Sequence, residues 1–123
     1  MRRLVITFAI LGLAISAIPF VLADVVPPHA MTVTAIDETS VRIGLYFDWH
    51  GRLPTDLNML PIRQGYANRS TDGWKRALNY TVNGDAKFTL SSLGRDGRIG
   101  GTGDDADISK HYMIANGEVR ESP

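Results

Sequence analysis

Apolar and polar positions alternate with different spacings along the chain, and each spacing predicts a different element. Leu4 to Ala23 is almost continuously apolar, broken by Thr7, Gly12, Ser16 and Pro19. Asp24 to His29 follows and holds Pro27-Pro28, a stiff spacer. From Ala30 to Trp49, the residues Val33, Ile36, Ile43 and Phe47 recur at three- and four-residue steps, and Leu45 and Tyr46 widen the stripe. That period predicts an amphipathic helix. Thr32, Thr34, Thr39 and Val41 lower its intrinsic propensity, so it must rely on tertiary packing. Gly51 supplies a stop, with Pro54 beyond it.

The period then changes. Leu53 to Ser70, with Pro54, Pro61, Gly65 and Asn68, reads as loop with a short helical turn near Asp56 to Leu60. Thr71-Asp72-Gly73 is a turn before Trp74. Leu78 to Val82 and Lys87 to Ser91 read as strands, joined by a hairpin at Asn83-Gly84-Asp85. Gly94 to Asp107 has no apolar period, and His111 to Glu118 predicts one more short strand before a loose end. The prediction is an α+β domain: an N-terminal hydrophobic segment, one amphipathic helix on a small antiparallel β-sheet, and a long C-terminal loop.

The N-terminus refines this division. Arg2 and Arg3 before the apolar run, and Val21-Leu22-Ala23 before Asp24, predict a signal peptide over residues 1–23. A run of roughly twenty apolar residues also suits a membrane anchor, with residues 4–23 as the tether. The organisation expected is therefore 1–23 signal or anchor, 24–29 spacer and 30–123 globular domain. The domain is exported in either case.

Charge is balanced at 13 basic and 13 acidic residues, with no basic cluster of the kind nucleic acid requires. The absence of cysteine removes disulfides, thiolate metal sites and a cysteine nucleophile. His29, His50 and His111 are too far apart to suggest a metal spacing, and Ser91 and Ser92 lack a nucleophile-elbow pattern. Trp49 and Trp74 are expected in the core. No catalytic set emerges from the sequence.

The acidic residues, in contrast, concentrate. Ser91 to Ile108 holds five glycines together with Asp96, Asp104, Asp105 and Asp107. Loops of this length are usually functional, and close carboxylates repel unless a cation offsets them. Calcium takes six to eight oxygens from carboxylates, carbonyls and water, which such a loop can present; zinc lacks ligands here. The spacing does not fit an EF-hand, and one imperfect nonapeptide copy cannot form a stacked β-roll. A solvated Asp/Gly turn is the competing reading.

Ser92, Gly94, Asp96, Gly97, Gly100, Gly101, Asp105, Ala106, Asp107 and Ile108 together resemble the calcium loop of the GspG-type major pseudopilins of type II secretion. Gly51-Arg52-Leu53-Pro54-Thr55, and Asp72-Gly73-Trp74 followed by Leu78-Asn79-Tyr80, are similar to further segments of that family in the same order. The resemblance spans about Ile36 to Ile108. It implies a helix packed on a short antiparallel sheet, with Ca2+ held by Asp96, Asp104, Asp105 and Asp107 and the main-chain carbonyl of Leu93. It also implies a non-enzymatic role in assembly, with other pseudopilins or secretion-system proteins as partners. The place expected is the periplasm, or the inner membrane facing it. The start of the chain departs from the family pattern: Gly12 leads into Leu13-Ala14-Ile15-Ser16-Ala17 with no acidic fifth residue, and Pro27-Pro28 would break a continuous N-terminal helix. Filament assembly of the usual kind is therefore not expected. A secreted calcium-dependent binding module is the alternative, and a small exported hydrolase would need acid/base residues that the sequence does not show.

Overall fold

A computed structural model describes residues 26–123. The segment expected to be a signal or anchor, and the first two residues of the spacer, lie outside the described residues. Within them, no helix is long and apolar enough to cross a membrane.

One long helix, α1 (Pro28–His50), is followed by a loop-rich segment with a 3-10 turn at Leu57–Met59. Four strands then form an antiparallel meander in the order β1 (Asn79–Gly84), β2 (Lys87–Ser92), β3 (Ile108–Ala115) and β4 (Glu118–Ser122). The architecture is the predicted α+β arrangement of one helix on a small antiparallel sheet.

The helix begins two residues earlier than its apolar period suggests. Pro27 is the N-cap, and Pro28 sits where the fixed φ of proline favours a first turn and its missing N–H is not needed. The chain ends the helix at Gly51, whose φ of 71° closes a bond from its N–H to the Phe47 carbonyl. The buried stripe is not the expected one. Ile36 and Ile43 are buried, but Val33 and Phe47 are only half-buried. Thr32, Ala35, Thr39, Ser40, Arg42 and Tyr46 complete the inward face. The polar members pair within the protein: Thr32 donates to the Pro28 carbonyl, Thr39 to that of Arg69, and Ser40 to that of Asp37. Satisfied in this way, a hydroxyl can occupy an interior position that period alone assigns to an apolar residue.

Strand β2 alternates strictly, burying Phe88, Leu90 and Ser92 against α1. Phe88 stacks on Tyr112 of β3 with centroids 5.2 Å apart, and Tyr80 of β1 closes on its other side at 6.1 Å. Ala35, Ile36, Ile43, Tyr46, Leu60 and Leu78 fill the layer between. Helix and sheet are also joined by polar contacts, since Asp37 Oδ1 accepts from Lys110 Nζ at 2.9 Å and from the Tyr112 hydroxyl at 3.0 Å.

Three further expectations are corrected. The β1–β2 turn is Asp85-Ala86 rather than Asn83-Gly84-Asp85, because the register slips between Val82 and Gly84 and leaves Asn83 as a bulge within the strand. The C-terminal strand runs from Ile108 and is followed by a second one, Glu118–Ser122, where a loose end was expected. Asn116 (φ 53°) and Gly117 (φ 77°) make the tight turn between them. Trp49 is 66% exposed and not in the core, since it falls on the outer side of the last helical turn; Trp74 is half-buried.

Candidate functional site: the loop between β2 and β3

The loop leaves β2 at Ser92 and enters β3 at Ile108, with a 3-10 turn at Gly103–Asp105. Its entry is fixed by residues that lie well before it in sequence. Asp72 is buried, and its Oδ1 accepts from the backbone N–H groups of Trp74 and Arg76, both at 2.9 Å. Its Oδ2 accepts from the Ser92 hydroxyl at 2.8 Å, and Ser92 Oγ in turn accepts from the N–H of Gly94 at 3.1 Å. Arg76 Nη1 donates to the carbonyls of Gly94 and Arg95 at 2.8 and 3.0 Å. Two backbone units of the loop are thus held from outside it.

The loop also closes on itself. The N–H of Arg95 donates to the carbonyl of Asp104 at 2.8 Å. Gly94 has a φ of +77°, and a Cβ there would meet the carbonyl oxygens of Asp105 and Ala106 at 2.7 Å. Only glycine allows that approach.

The predicted ligands are distributed as follows. Asp96 is exposed, and its Oδ1 accepts from the N–H of Arg98 at 3.0 Å. Asp107 is exposed, and its Oδ2 accepts from the N–H of Gly100 at 3.1 Å. Asp105 is half-buried and bound by Arg95 through Nε to Oδ1 at 3.0 Å and Nη2 to Oδ2 at 3.2 Å. Asp104 is exposed in the 3-10 turn, and Leu93 is half-buried beside Gly94. Among the described residues, no group of three or more acidic or histidine side chains is gathered as it would be around an ion. The guanidinium of Arg95 is held above its ordinary pKa first by its hydrogen bond to Asp105 and then by that carboxylate's charge, with Asp104 and Asp96 adding to it.

The donor set nevertheless has the chemistry of a hard cation site. Four carboxylates and a carbonyl are presented on a glycine-rich loop that carries two arginines, leaving a formal charge of −2 over Ser91 to Ile108. An ion there would compete with Arg95 for Asp105, whose two oxygens are both engaged, whereas Asp96 and Asp107 each engage one oxygen.

Sequence reading reached the acidic residues but not the frame around them. Asp72 reads as an ordinary turn residue, and nothing in the sequence singles out Arg76. The one available signal was that Asp72 and Ser92 both stand in segments of the family resemblance. Of the histidines, His50 packs against Tyr46 with ring centroids 4.2 Å apart and planes tilted by 35°, and His111 bonds Thr89 at 2.7 Å on the outer sheet face. Three surface grooves of about 430, 370 and 300 Å³ are lined by α1, the 55–58 and 70–80 segments, and the β3–β4 turn, and none of these three includes a residue of the loop.

Comparison with known proteins agrees with the resemblance. The family model described as "Type II secretion system (T2SS), protein G" matches residues 52–111, which contain the loop and the residues that frame it. The type II secretion system core protein G of Xanthomonas campestris pv. campestris is 39% identical over 69 residues, covering 47% of this chain and 48% of that protein. The matched part thus spans about half the length of that relative.

Proposed function

We propose, from the premise that residues 52–111 are a protein G-type pseudopilin domain of type II secretion, that this chain is a non-enzymatic exported protein which acts by assembly and carries a calcium-stabilised loop. The observation that carries this reading is the frame that Asp72, Ser92 and Arg76 build around the loop entry. A loop held at a buried carboxylate, rather than left to drift, can present ligands and a surface in a fixed place.

The residues that would hold the ion are Asp96, Asp104, Asp105 and Asp107 with the Leu93 carbonyl. Calcium, when bound, supplies the positive charge that offsets these carboxylates. The rest is done by the chain: Arg76 and Ser92 hold the entry, Gly94 admits the Asp105 backbone, and β3 anchors the exit. The partners proposed are other pseudopilins or secretion-system components. The site of action is the periplasm or the periplasmic face of the inner membrane, with residues 1–23 as a leader or residues 4–23 as a tether.

Calorimetric calcium titration of the full-length protein tests the metal, with melting temperature followed in parallel. Saturable binding and a raised Tm, both lost in an Asp96→Ala, Asp107→Ala double variant, are expected. Absence of binding would remove the calcium and leave only the domain assignment. Co-purification with the other pseudopilins of the host tests the assembly role. Calcium binding without any such partner would favour the secreted binding module instead.

A further inference from the structure

The loop holds one of its own carboxylates with one of its own cations. Arg95 grips both oxygens of Asp105, at 3.0 and 3.2 Å, while its backbone N–H binds the carbonyl of Asp104 at 2.8 Å. Main chain and side chain of one residue therefore hold two adjacent residues of the loop, Asp104 by its backbone carbonyl and Asp105 by its carboxylate. A guanidinium fork takes one in-plane lone pair on each carboxylate oxygen, on the side where a divalent ion would bind both oxygens together. Asp105 cannot serve both fully.

Arg98 supplies an internal contrast. It has the same charge and lies three residues away, but it makes no ion pair among the described residues. Among the described residues, Arg95 is the one side-chain cation paired with a carboxylate of the loop.

We infer that Arg95 is a tethered counter-cation: it latches Asp105 in the ion-free loop and must release it for calcium to bind, so it sets the calcium concentration at which the loop switches. The inference rests on the calcium reading above and adds a regulator to the same site. Arg95 should lower calcium affinity while keeping the empty loop closed. It should also make binding depend on salt, since the latch is an exposed pair that ions screen.

The test is calorimetric calcium titration of full-length wild type, Arg95→Gln, Arg95→Lys and Arg98→Gln. Arg95→Gln should bind roughly fivefold more tightly, the range that the loss of one exposed ion pair permits. Arg95→Lys, which keeps the charge but loses the fork, should fall between it and wild type, and Arg98→Gln should stay within about twofold of wild type on the same reasoning. In chelator, limited proteolysis should cut the loop of Arg95→Gln faster than that of wild type, and calcium should restore protection. Equal or weaker calcium binding by Arg95→Gln would overturn the latch while leaving the calcium site standing. Equal tightening in Arg98→Gln would also overturn it, because general charge and not the clasp would then be responsible. If neither wild type nor any variant binds calcium, the calcium reading fails and takes the latch with it.

Discussion

Ser92 donates its hydroxyl proton to Oδ2 of Asp72 across 2.8 Å, and both residues are buried, at 1% and 4% exposure. Twenty residues separate them in sequence, and this contact joins the last position of β2 to the turn that precedes β1. Replacing Asp72 with alanine would strip partners from the Ser92 hydroxyl and from the N–H groups of Trp74 and Arg76. Leaving buried donors unpaired costs about 1–3 kcal/mol each where water cannot reach them, so a total of roughly 3 kcal/mol is expected for Asp72→Ala. Thermal melting should show Tm lower by roughly 10–20 °C. Asp72→Asn keeps the Oδ1 contacts and should lose about a third as much on the same basis.

Arg42 gives a second prediction. It is buried in α1, and its guanidinium donates to the carbonyls of Pro61 and Leu60 and to the Ser70 hydroxyl. Burial lowers its pKa from the ordinary value, and Glu38 opposes that effect. These bonds tie the irregular segment before β1 to the helix. Arg42→Ala should destabilise the protein by about 2–4 kcal/mol. Hydrogen exchange should accelerate first in residues 60–70, with the sheet affected less.

The tyrosines predict alkaline behaviour. Burial pushes the Tyr80 hydroxyl up to about 12, with Tyr46 adding to the effect. Tyr112 is raised further, first by burial and then by Asp37. Both folded values lie above the unfolded value near 10, so the folded state favours the protonated phenol. The stability this contributes is complete below about pH 10 and is lost as pH rises towards 12 and beyond. Denaturant melts between pH 9 and 12 should show that loss, and Tyr80→Phe should make it smaller even though it gives up the bond to the Pro54 carbonyl.

Phe88 tests the core directly. It is fully buried between Tyr112 and Tyr80 on the strand with the most buried positions. Phe88→Ala should cost about 3–5 kcal/mol. In a domain this small that approaches the whole of the available stability. A cooperative melt surviving near the wild-type Tm would show that the sheet–helix layer is not the core.

The elements legible in the sequence were those with a clean period. The helix, β1, β2 and the acidic loop all follow from spacing and turn chemistry. Strand β4 was missed because Glu118, Arg120 and Glu121 hide a short edge strand in which Val119 is the apolar member. The Asn116-Gly117 turn was its visible signal. The inward face of α1 was misread for a different reason: Thr32 and Thr39 are buried because carbonyls are positioned to receive them, which period cannot reveal. Asp72 and Arg76 were invisible as loop supports because their partners lie some twenty residues further along the chain.

The contacts of α1 also set an order of events. Asp37 bonds Lys110 and Tyr112, more than seventy positions later, and Val119 fills the notch left by Gly44. During synthesis, the helix therefore emerges long before the strands that cover it. Four of its eight buried positions are Thr32, Thr39, Ser40 and Arg42, so a partly made chain exposes less apolar surface than an all-aliphatic face would. The core closes only when the β3–β4 hairpin arrives, so the helix waits for the last strands to be made.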